Sequence, residues 1–324
     1  MKTVAVIGAT GAVGSEIVRL LEKRSFPLRT LRCFASPNSL GQHVSFRGEK
    51  IPLEVLSKEA LANVDLAFFA AGSSVSRKWI PECSARCIDS SSAFRMDEKV
   101  PLIIPEINRA VLQKQRLIAS PNCSATVLLM PLAPLHRLFQ VKRVVAATYQ
   151  AASGAGARFL QHLYDETRAH LAGESFPSPL PFPYAFNLFP HNSPLRANGY
   201  VEEEIKMMEE TRKILGDLSI ALTATCVRVP VPRAHSIAAN VEFKKPFQME
   251  EVLAAIRSMP GLQLFEDRSQ NRFPTPTDAT GRDEVLCGRF RIDLSQPNTL
   301  EFWAVGDQLL KGAALNAVQI GELC

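Results

Sequence analysis

Apolar and polar positions divide the chain into two regimes. Residues 3–8, Thr-Val-Ala-Val-Ile-Gly, run apolar without the alternation of a half-exposed strand, which predicts a buried parallel strand. An amphipathic helix through Lys23 follows, then apolar segments at 31–35, 65–69, 87–89 and 101–104, with a further helix after Ser73. This alternation of strands and helices predicts an α/β domain with a doubly wound sheet. Residues 117–119 form one more short strand. The helix predicted over 124–139 is apolar on every face, so it belongs inside a core.

Beyond it the composition shifts. Residues 141–150 read as a long strand, and Ser153-Gly-Ala-Gly-Ala157 leads into a helix through Leu171. Pro177, Pro179, Pro181, Pro183, Pro190 and Pro194 rule out regular helix or central strand, so an extended surface segment is expected, a candidate subunit contact. A helix over 201–215 opens with Glu202, Glu203 and Glu204, which suit the positive end of its dipole. Segments 220–229, 234–243, 286–293 and 299–305 predict a mixed, largely antiparallel sheet. Residues 271–283 read as a loop, and 306–324 carry a terminal apolar helix.

Chemistry enters at the first turn. Gly8, Gly11 and Gly14 sit between the first strand and the first helix, in Gly8-Ala-Thr-Gly-Ala-Val-Gly14. The first glycine permits the tight turn, the second lets amides approach a pyrophosphate, and the third packs helix on strand. In that context the pattern marks a Rossmann-type dinucleotide site. Gly72-Ser-Ser74, after the strand at 65–69, is a second loop placed where such sheets bind ligands. The loop after the second strand is Ser36-Pro-Asn-Ser39. It lacks the carboxylate that binds a ribose 2′-hydroxyl and repels a 2′-phosphate, so NADP is expected over NAD.

Composition narrows the class. The chain has 324 residues, 46% hydrophobic and 21% charged, with a net charge of +5. Its basic residues are dispersed, which gives no nucleic-acid surface. No apolar run reaches the roughly 18 residues of a membrane span. The start, Met1-Lys-Thr-Val, has no signal-peptide architecture. The seven cysteines, an odd number scattered among apolar neighbours, predict free thiols in a reducing cytoplasm. Cys83 and Cys87 are four apart, but no further pair completes a zinc set, so no metal site is expected.

Cys123 stands apart from the other six. It lies two residues after Pro121, between the strand at 117–119 and the helix at 124–139. Unpaired amides and the helix dipole favour a thiolate there, and an imidazole elsewhere would complete an acyl-transfer site. A cysteine at a helix start is more often a small buried hydrophobe, so the surroundings decide.

Those surroundings resemble the aspartate-β-semialdehyde dehydrogenase family. The resemblance rests on Gly8-Ala-Thr-Gly-Ala-Val-Gly14, Ser91-Ser-Ala-Phe-Arg95, Ser120-Pro-Asn-Cys-Ser-Ala-Thr126, Tyr149-Gln-Ala-Ala-Ser-Gly-Ala-Gly156, Glu203-Glu-Ile-Lys206, Arg228-Val-Pro-Val-Pro-Arg-Ala-His235 and Lys311-Gly-Ala-Ala-Leu-Asn316. These stretches span the chain in the family's order. The resemblance implies NADPH-dependent reduction of L-4-aspartyl phosphate to L-aspartate 4-semialdehyde, with release of phosphate. That step serves lysine/diaminopimelate, methionine and threonine biosynthesis. It also implies the roles that follow. Cys123 is the nucleophile that forms a thioester, His235 the general acid/base, and Gln150 the amide that orients thiol and carbonyl. Arg228 holds the substrate α-carboxylate and Glu203 its α-ammonium. Arg95, Asn122 and Lys206 hold the phosphate. Gly8, Thr10, Gly11, Ala12, Val13 and Gly14 hold the cofactor pyrophosphate, and Ser36 and Ser39 its 2′-phosphate end. Ser153, Gly154, Gly156 and Asn316 lie on the nicotinamide side. Glu203 and Lys206, three apart on one helix, are expected to face opposite ends of one substrate.

The implied architecture is a discontinuous nucleotide-binding domain, 1–122 and 306–324, and an α+β substrate and dimerisation domain, 123–305. Cys123 would face the nicotinamide in the cleft between them, in a homodimer. Three positions depart from the family's usual pattern. Pro37-Asn38 stands where an arginine is common, Ser73 where a glycine is, and Gln308 where an asparagine is. Two rival readings are an N-acetyl-glutamyl-phosphate reductase-like enzyme and a catalytically silent binding paralogue. A free α-ammonium needs the Glu203 carboxylate, which argues against the first. Retention of Cys123 and His235 argues against the second.

Overall fold

The computed structural model describes residues 2–324. The chain forms two compact units, one made of residues up to Asn122 together with Gly312–Cys324, the other of Cys123–Lys311.

The first unit is built on a seven-stranded sheet. Its strands are β1 (Lys2–Ile7), β2 (Leu28–Phe34), β3 (His43–Phe46), β4 (Glu49–Glu54), β5 (Leu66–Phe69), β6 (Arg86–Asp89) and β7 (Leu117–Ala119). The order is β3-β4-β2-β1-β5-β6-β7, parallel throughout except for the β3–β4 pair. The chain leaves β1 in one direction to reach β2 and later returns to β1's other side with β5. This reversal makes the doubly wound fold, and the crevice it opens lies at the carboxyl ends of β1 and β5. Helix Ala12–Lys23 buries Ile17, Val18, Leu20 and Leu21. The terminal helix Leu315–Glu322 packs beside it and against β6. Arg24 locks that end by donating to both carboxylate oxygens of Glu322, at 2.6 and 2.8 Å.

Two details differ from the sequence pattern. The hairpin β3–β4 was not expected, because its two-residue turn is Arg47-Gly48, with φ of 51° and 79°. Such turns need positive φ at both positions, and arginine does not advertise it. Residues 101–104 form no strand. Leu102 makes a single bridge to Ala119, and the Ile103 amide donates to the Ala119 carbonyl at 3.0 Å. Pro101 has no donor, and Pro105 already opens the short helix Pro105–Asn108, so a ladder cannot extend.

The second unit holds another seven-stranded sheet. Its strands are β8 (Val141–Gln150), β9 (Phe189–Pro190), β10 (Ala221–Arg228), β11 (His235–Phe243), β12 (Leu262–Leu264), β13 (Val285–Ile292) and β14 (Thr299–Gly306), in the order β12-β13-β14-β11-β8-β10-β9. β8 runs parallel to β10 and β12 to β13, while the other pairs are antiparallel. Helix Cys123–Phe139 lies on one face, against β8, β11, β13 and β14. Helices Glu202–Leu215 and Met249–Ser258 flank it. Every residue from Ser124 to Leu135 is buried, which accounts for the absence of a polar stripe.

Here too the structure adds to the pattern. Residues 271–283 contain the helix Pro276–Ala279, started by a capping box in which the Thr275 side chain accepts from the Asp278 amide. The terminal helix begins with a π-helical turn, Leu310–Ala314, before settling into α geometry at Leu315. The proline-rich stretch is less superficial than expected, since Tyr184, Ala185 and Phe189 are buried. Its hydrogen bonds go inward: β9 pairs with β10, and the His191 amide donates to the Cys226 carbonyl at 2.8 Å. No helix among the described residues is long and apolar enough to cross a membrane.

The turn between β1 and its helix is the tightest point of the first unit. A Cβ on Gly14 would come within 2.0 Å of the Gly8 carbonyl oxygen, a backbone atom with nowhere to go. Gly14→Ala is therefore expected to push helix from strand at a cost of about 1–3 kcal/mol. Urea denaturation should show the loss, together with weakened binding of a dinucleotide.

Candidate active site

In the first unit, the carboxyl ends of β1, β2 and β5 open a cavity of about 670 Å³, lined among others by Gly8, Thr10, Gly11, Ser36 and Lys78. Gly8 has φ of 85°, and a Cβ there would sit 2.8 Å from the Ala70 carbonyl oxygen. Only glycine allows the backbone this close an approach. The Gly8 and Ala9 amides both donate to the Phe34 carbonyl, at 2.8 and 3.0 Å, and the Gly11 amide donates to the Gly8 carbonyl at 2.9 Å. Gly11 then caps the helix with no side chain over its open end. Ala12, Val13 and the buried Gly14 form the first turn of that helix. This is a cradle for a pyrophosphate at a helix N-terminus, and the residues present fit a dinucleotide. Ser36 is exposed at the cavity, and the Ser39 amide donates to its carbonyl at 2.9 Å.

The other expected residues of this unit have structural partners. Arg95 is buried, donating from Nε to the Ser120 carbonyl at 2.9 Å and from Nη2 to the Ser90 carbonyl at 2.8 Å. Asn122 is buried as well. Asn316 donates from Nδ2 to the Ile103 carbonyl and the Ser120 hydroxyl, both at 2.9 Å. The Ser73 hydroxyl pairs with that of Ser92 at 3.0 Å.

In the second unit, strand order does the assembling. Gln150 ends β8, Arg228 ends β10 and His235 begins β11, with β8 in the middle. Gln150 and Arg228 are register partners, and the antiparallel pairing brings His235 to the same end. Residues 78 and 85 positions apart from Gln150 in sequence are thus neighbours because three strands stop at one level. Cys123, half-buried, is the first residue of the helix packed on this sheet. Gln150 ties helix to strand by donating from Nε2 to the Ser124 hydroxyl at 2.5 Å and to Glu203 at 3.1 Å.

One residue organises the centre. The fully buried Ala151 donates its amide to His235 Nδ1 at 3.0 Å, and its carbonyl accepts from Arg228 Nη1 at 2.7 Å. The first bond assigns the tautomer: Nδ1 accepts, so neutral His235 carries its proton on Nε2. Arg228 Nη2 donates to His191 Nε2 at 2.8 Å. Cys123 lies within Coulombic reach of this guanidinium. Burial, and then the Arg228 charge, push the His235 pKa down to about 3. Burial takes His191 down to about 4, with Glu203 opposing and Arg228 and Lys206 reinforcing the shift. Gln150 Oε1 and Arg228 Nε are buried with no hydrogen-bond partner among the described residues. Orphaned polar atoms at the ends of adjacent strands are what a site kept ready for a ligand shows.

Glu203 and Lys206 meet each other, with Lys206 Nζ donating to a Glu203 carboxylate oxygen at 3.3 Å. The spacing placed them on one face as expected, yet they form a pair rather than standing apart. Ser153 is buried, donating to the Pro232 carbonyl at 2.6 Å and accepting from Gln308 Nε2 at 2.5 Å. Gln308 Oε1 also accepts from the Ala234 amide at 2.8 Å, so the longer amide bridges two loops of this unit. Gly154 is pressed against the imidazole, where a Cβ would lie 2.9 Å from His235 Nε2. Gly156 has φ of 102° and caps the next helix, Ala157–Leu171. Among the described residues no group of three or more metal-ligating side chains could hold an ion.

His191, Ser124 and Ala151 were missed in the sequence. An imidazole inside a proline-rich stretch carries no periodicity, and Ala151 acts only through its backbone.

Comparison with known proteins agrees with this architecture. Residues 3–115 match the model of the semialdehyde dehydrogenase NAD binding domain, and residues 132–311 that of the semialdehyde dehydrogenase dimerisation domain. The chain belongs to the aspartate-semialdehyde dehydrogenase family. It is 51% identical to an aspartate-semialdehyde dehydrogenase of Synechocystis sp., over 99% of this chain and 96% of that protein. A relative of the same name from Aquifex aeolicus is 41% identical over 99% and 97%. The crystal structure of aspartate semialdehyde dehydrogenase II from Vibrio cholerae, complexed with ASA, superposes with a TM-score of 0.95. It is 38% identical and covered over 98% of its length, with 100% of this chain matched. Like this family fold, the chain combines a Rossmann-type nucleotide-binding domain with a dimerisation domain.

The two neutral imidazoles generate a prediction. Both folded-state pKa values lie below the unfolded value of about 6.5, so the unfolded chain binds more protons between them. Stability therefore falls as pH drops from about 6.5, by up to about 1.4 kcal/mol per pH unit for each imidazole, down to about 4 for His191 and about 3 for His235. Denaturant midpoints measured across that window should flatten by one such increment in His191→Gln.

Proposed function

We propose that the chain catalyses NADPH-dependent reductive dephosphorylation of L-4-aspartyl phosphate, giving L-aspartate 4-semialdehyde and phosphate. The observation that carries this reading is the convergence of Gln150, Arg228 and His235 at one sheet end, against the helix that Cys123 begins. The Cys123 thiolate attacks the acyl carbon, and the carbon–oxygen bond to phosphate breaks, leaving a thioester. Arg228 holds the substrate α-carboxylate, for which its planar fork is suited, and Glu203 holds the α-ammonium. Lys206, Arg95 and Asn122 receive the phosphate. The Gln150 amide orients sulfur and carbonyl. NADPH, when bound, supplies the hydride that reduces the thioester. The Nε2–H of neutral His235 donates a hydrogen bond to the resulting oxyanion, whose collapse breaks the carbon–sulfur bond, returns the thiolate and releases the aldehyde.

The cradle from Gly8 to Gly14 would hold the cofactor pyrophosphate, and Ser36 and Ser39 its 2′-phosphate end. The preference for NADP follows from that loop, where no carboxylate repels a third phosphate. Ser153, Gly154, Gly156 and Asn316 are assigned to the nicotinamide side. A homodimer is part of the same reading. The sheet face away from helix Cys123–Phe139 carries the half-buried Val145, Ala147, Ala238 and Trp303 and the exposed Thr225, in the region matched by the dimerisation-domain model. The setting proposed is the cytoplasm, where all seven cysteines stay free.

The test is phosphate-dependent reduction of NADP by purified protein with aspartate semialdehyde. Turnover is expected, with NAD a poorer substrate. In Cys123→Ser it should vanish while NADPH binding, followed by nucleotide fluorescence, stays within about 3-fold of the parent. Loss of both together would make the thiol structural and sink the assignment.

A further inference from the structure

Arg228 presents an electrostatic problem that the family chemistry leaves open. Its guanidinium is 4% exposed, and a buried cation is ordinarily matched by a carboxylate. Its hydrogen-bond acceptors here are the Ala151 carbonyl and the ring of His191, both uncharged. A guanidinium cannot accept, so His191 Nε2 must, and the ring proton sits on Nδ1. Nδ1 faces the Ser193 hydroxyl at 3.1 Å, which can take that proton in a hydrogen bond. The Ser193 amide also points at Nδ1, from 3.2 Å, but yields to the shorter and charge-assisted Arg228 bond in fixing the tautomer. The same hydroxyl accepts from the Glu203 amide at 3.1 Å. A chain of contacts therefore runs from Arg228 through His191 and Ser193 to the start of helix Glu202–Leu215.

The backbone holds His191 firmly at this post. β9 pairs with the end of β10, matching Phe189 to Arg228, and the His191 amide bonds to the Cys226 carbonyl at 2.8 Å. The edge strand thus delivers the imidazole beside the guanidinium.

We infer that His191 is a positioning residue for Arg228, an uncharged acceptor that fixes the guanidinium without cancelling its charge. A carboxylate at this place would hold Arg228 equally well but would quench the attraction for a substrate carboxylate. His191 thereby sets the site's selectivity for substrates bearing a carboxylate next to the reacting carbonyl chain. The inference rests on the reading of Arg228 as the carboxylate holder, and the experiment separates the two.

The experiment is steady-state kinetics with aspartate semialdehyde, phosphate and NADP on His191→Gln, His191→Leu, His191→Glu and, as a control, Arg228→Lys. Glutamine supplies an acceptor for Arg228 and a donor for Ser193, so its KM should stay within about 3-fold of the parent. Leucine removes the acceptor and glutamate adds a charge; each should raise KM for the semialdehyde on the order of 10–100-fold, with KM for NADP unchanged. Glutamate as good as glutamine would overturn the charge argument. Leucine equal to the parent, or a parallel rise in KM for NADP, would overturn positioning. Should His191→Leu fail to fold, the glutamine and glutamate pair still decides between a neutral acceptor and any acceptor. An unchanged KM in Arg228→Lys would instead sink the carboxylate-holder reading itself.

Discussion

The second unit is arranged around a buried guanidinium held by neutral atoms. Arg228 gives one nitrogen to the Ala151 carbonyl and one to His191, both neutral acceptors. Removing a cation from water costs several kcal/mol unless its surroundings compensate. The strand ends provide the compensation, since β8 directs the Ala151 carbonyl and the edge strand β9 the His191 ring nitrogen at the same point. The unspent charge then acts on everything near it. It helps keep His191 and His235 neutral, and it lies within reach of the sulfur of Cys123. In the proposed reaction an anionic substrate would complete this balance.

The backbone of a single residue couples the imidazole and the guanidinium. Ala151 aligns His235 through its amide and Arg228 through its carbonyl, so a shift of this peptide moves both. Its position is set by β8, which lies between β10 and β11. In the proposed reaction the carboxylate holder and the imidazole are therefore both set by the same strand. Helix Cys123–Phe139 adds the proposed nucleophile, tied to β8 by the Gln150–Ser124 bond.

Much of this was legible in the sequence. The strand–glycine–helix pattern at Gly8 to Gly14 announces itself because close approach of backbones leaves glycine no substitute, as the contacts of Gly8 and Gly14 make plain. The helix after Cys123 was readable because total burial leaves an unbroken apolar run. Arg228, His235 and Glu203 came only through family motifs, since their convergence depends on strand order, which no local pattern encodes. Where local chemistry was atypical, the reading failed. Arg47 in a positive-φ turn hid a hairpin, Pro105 ended a would-be strand, and the prolines near residue 190 masked both an edge strand and His191.

The account turns on whether Cys123 becomes acylated in this field. Mixing the protein rapidly with aspartate semialdehyde and NADP, with phosphate left out, isolates that step. A burst of reduced nucleotide equal to the number of sites, with an aspartyl group found by mass spectrometry on the peptide bearing Cys123, is the predicted result. Absence of a burst from folded protein, or an acyl group on any other residue, contradicts it.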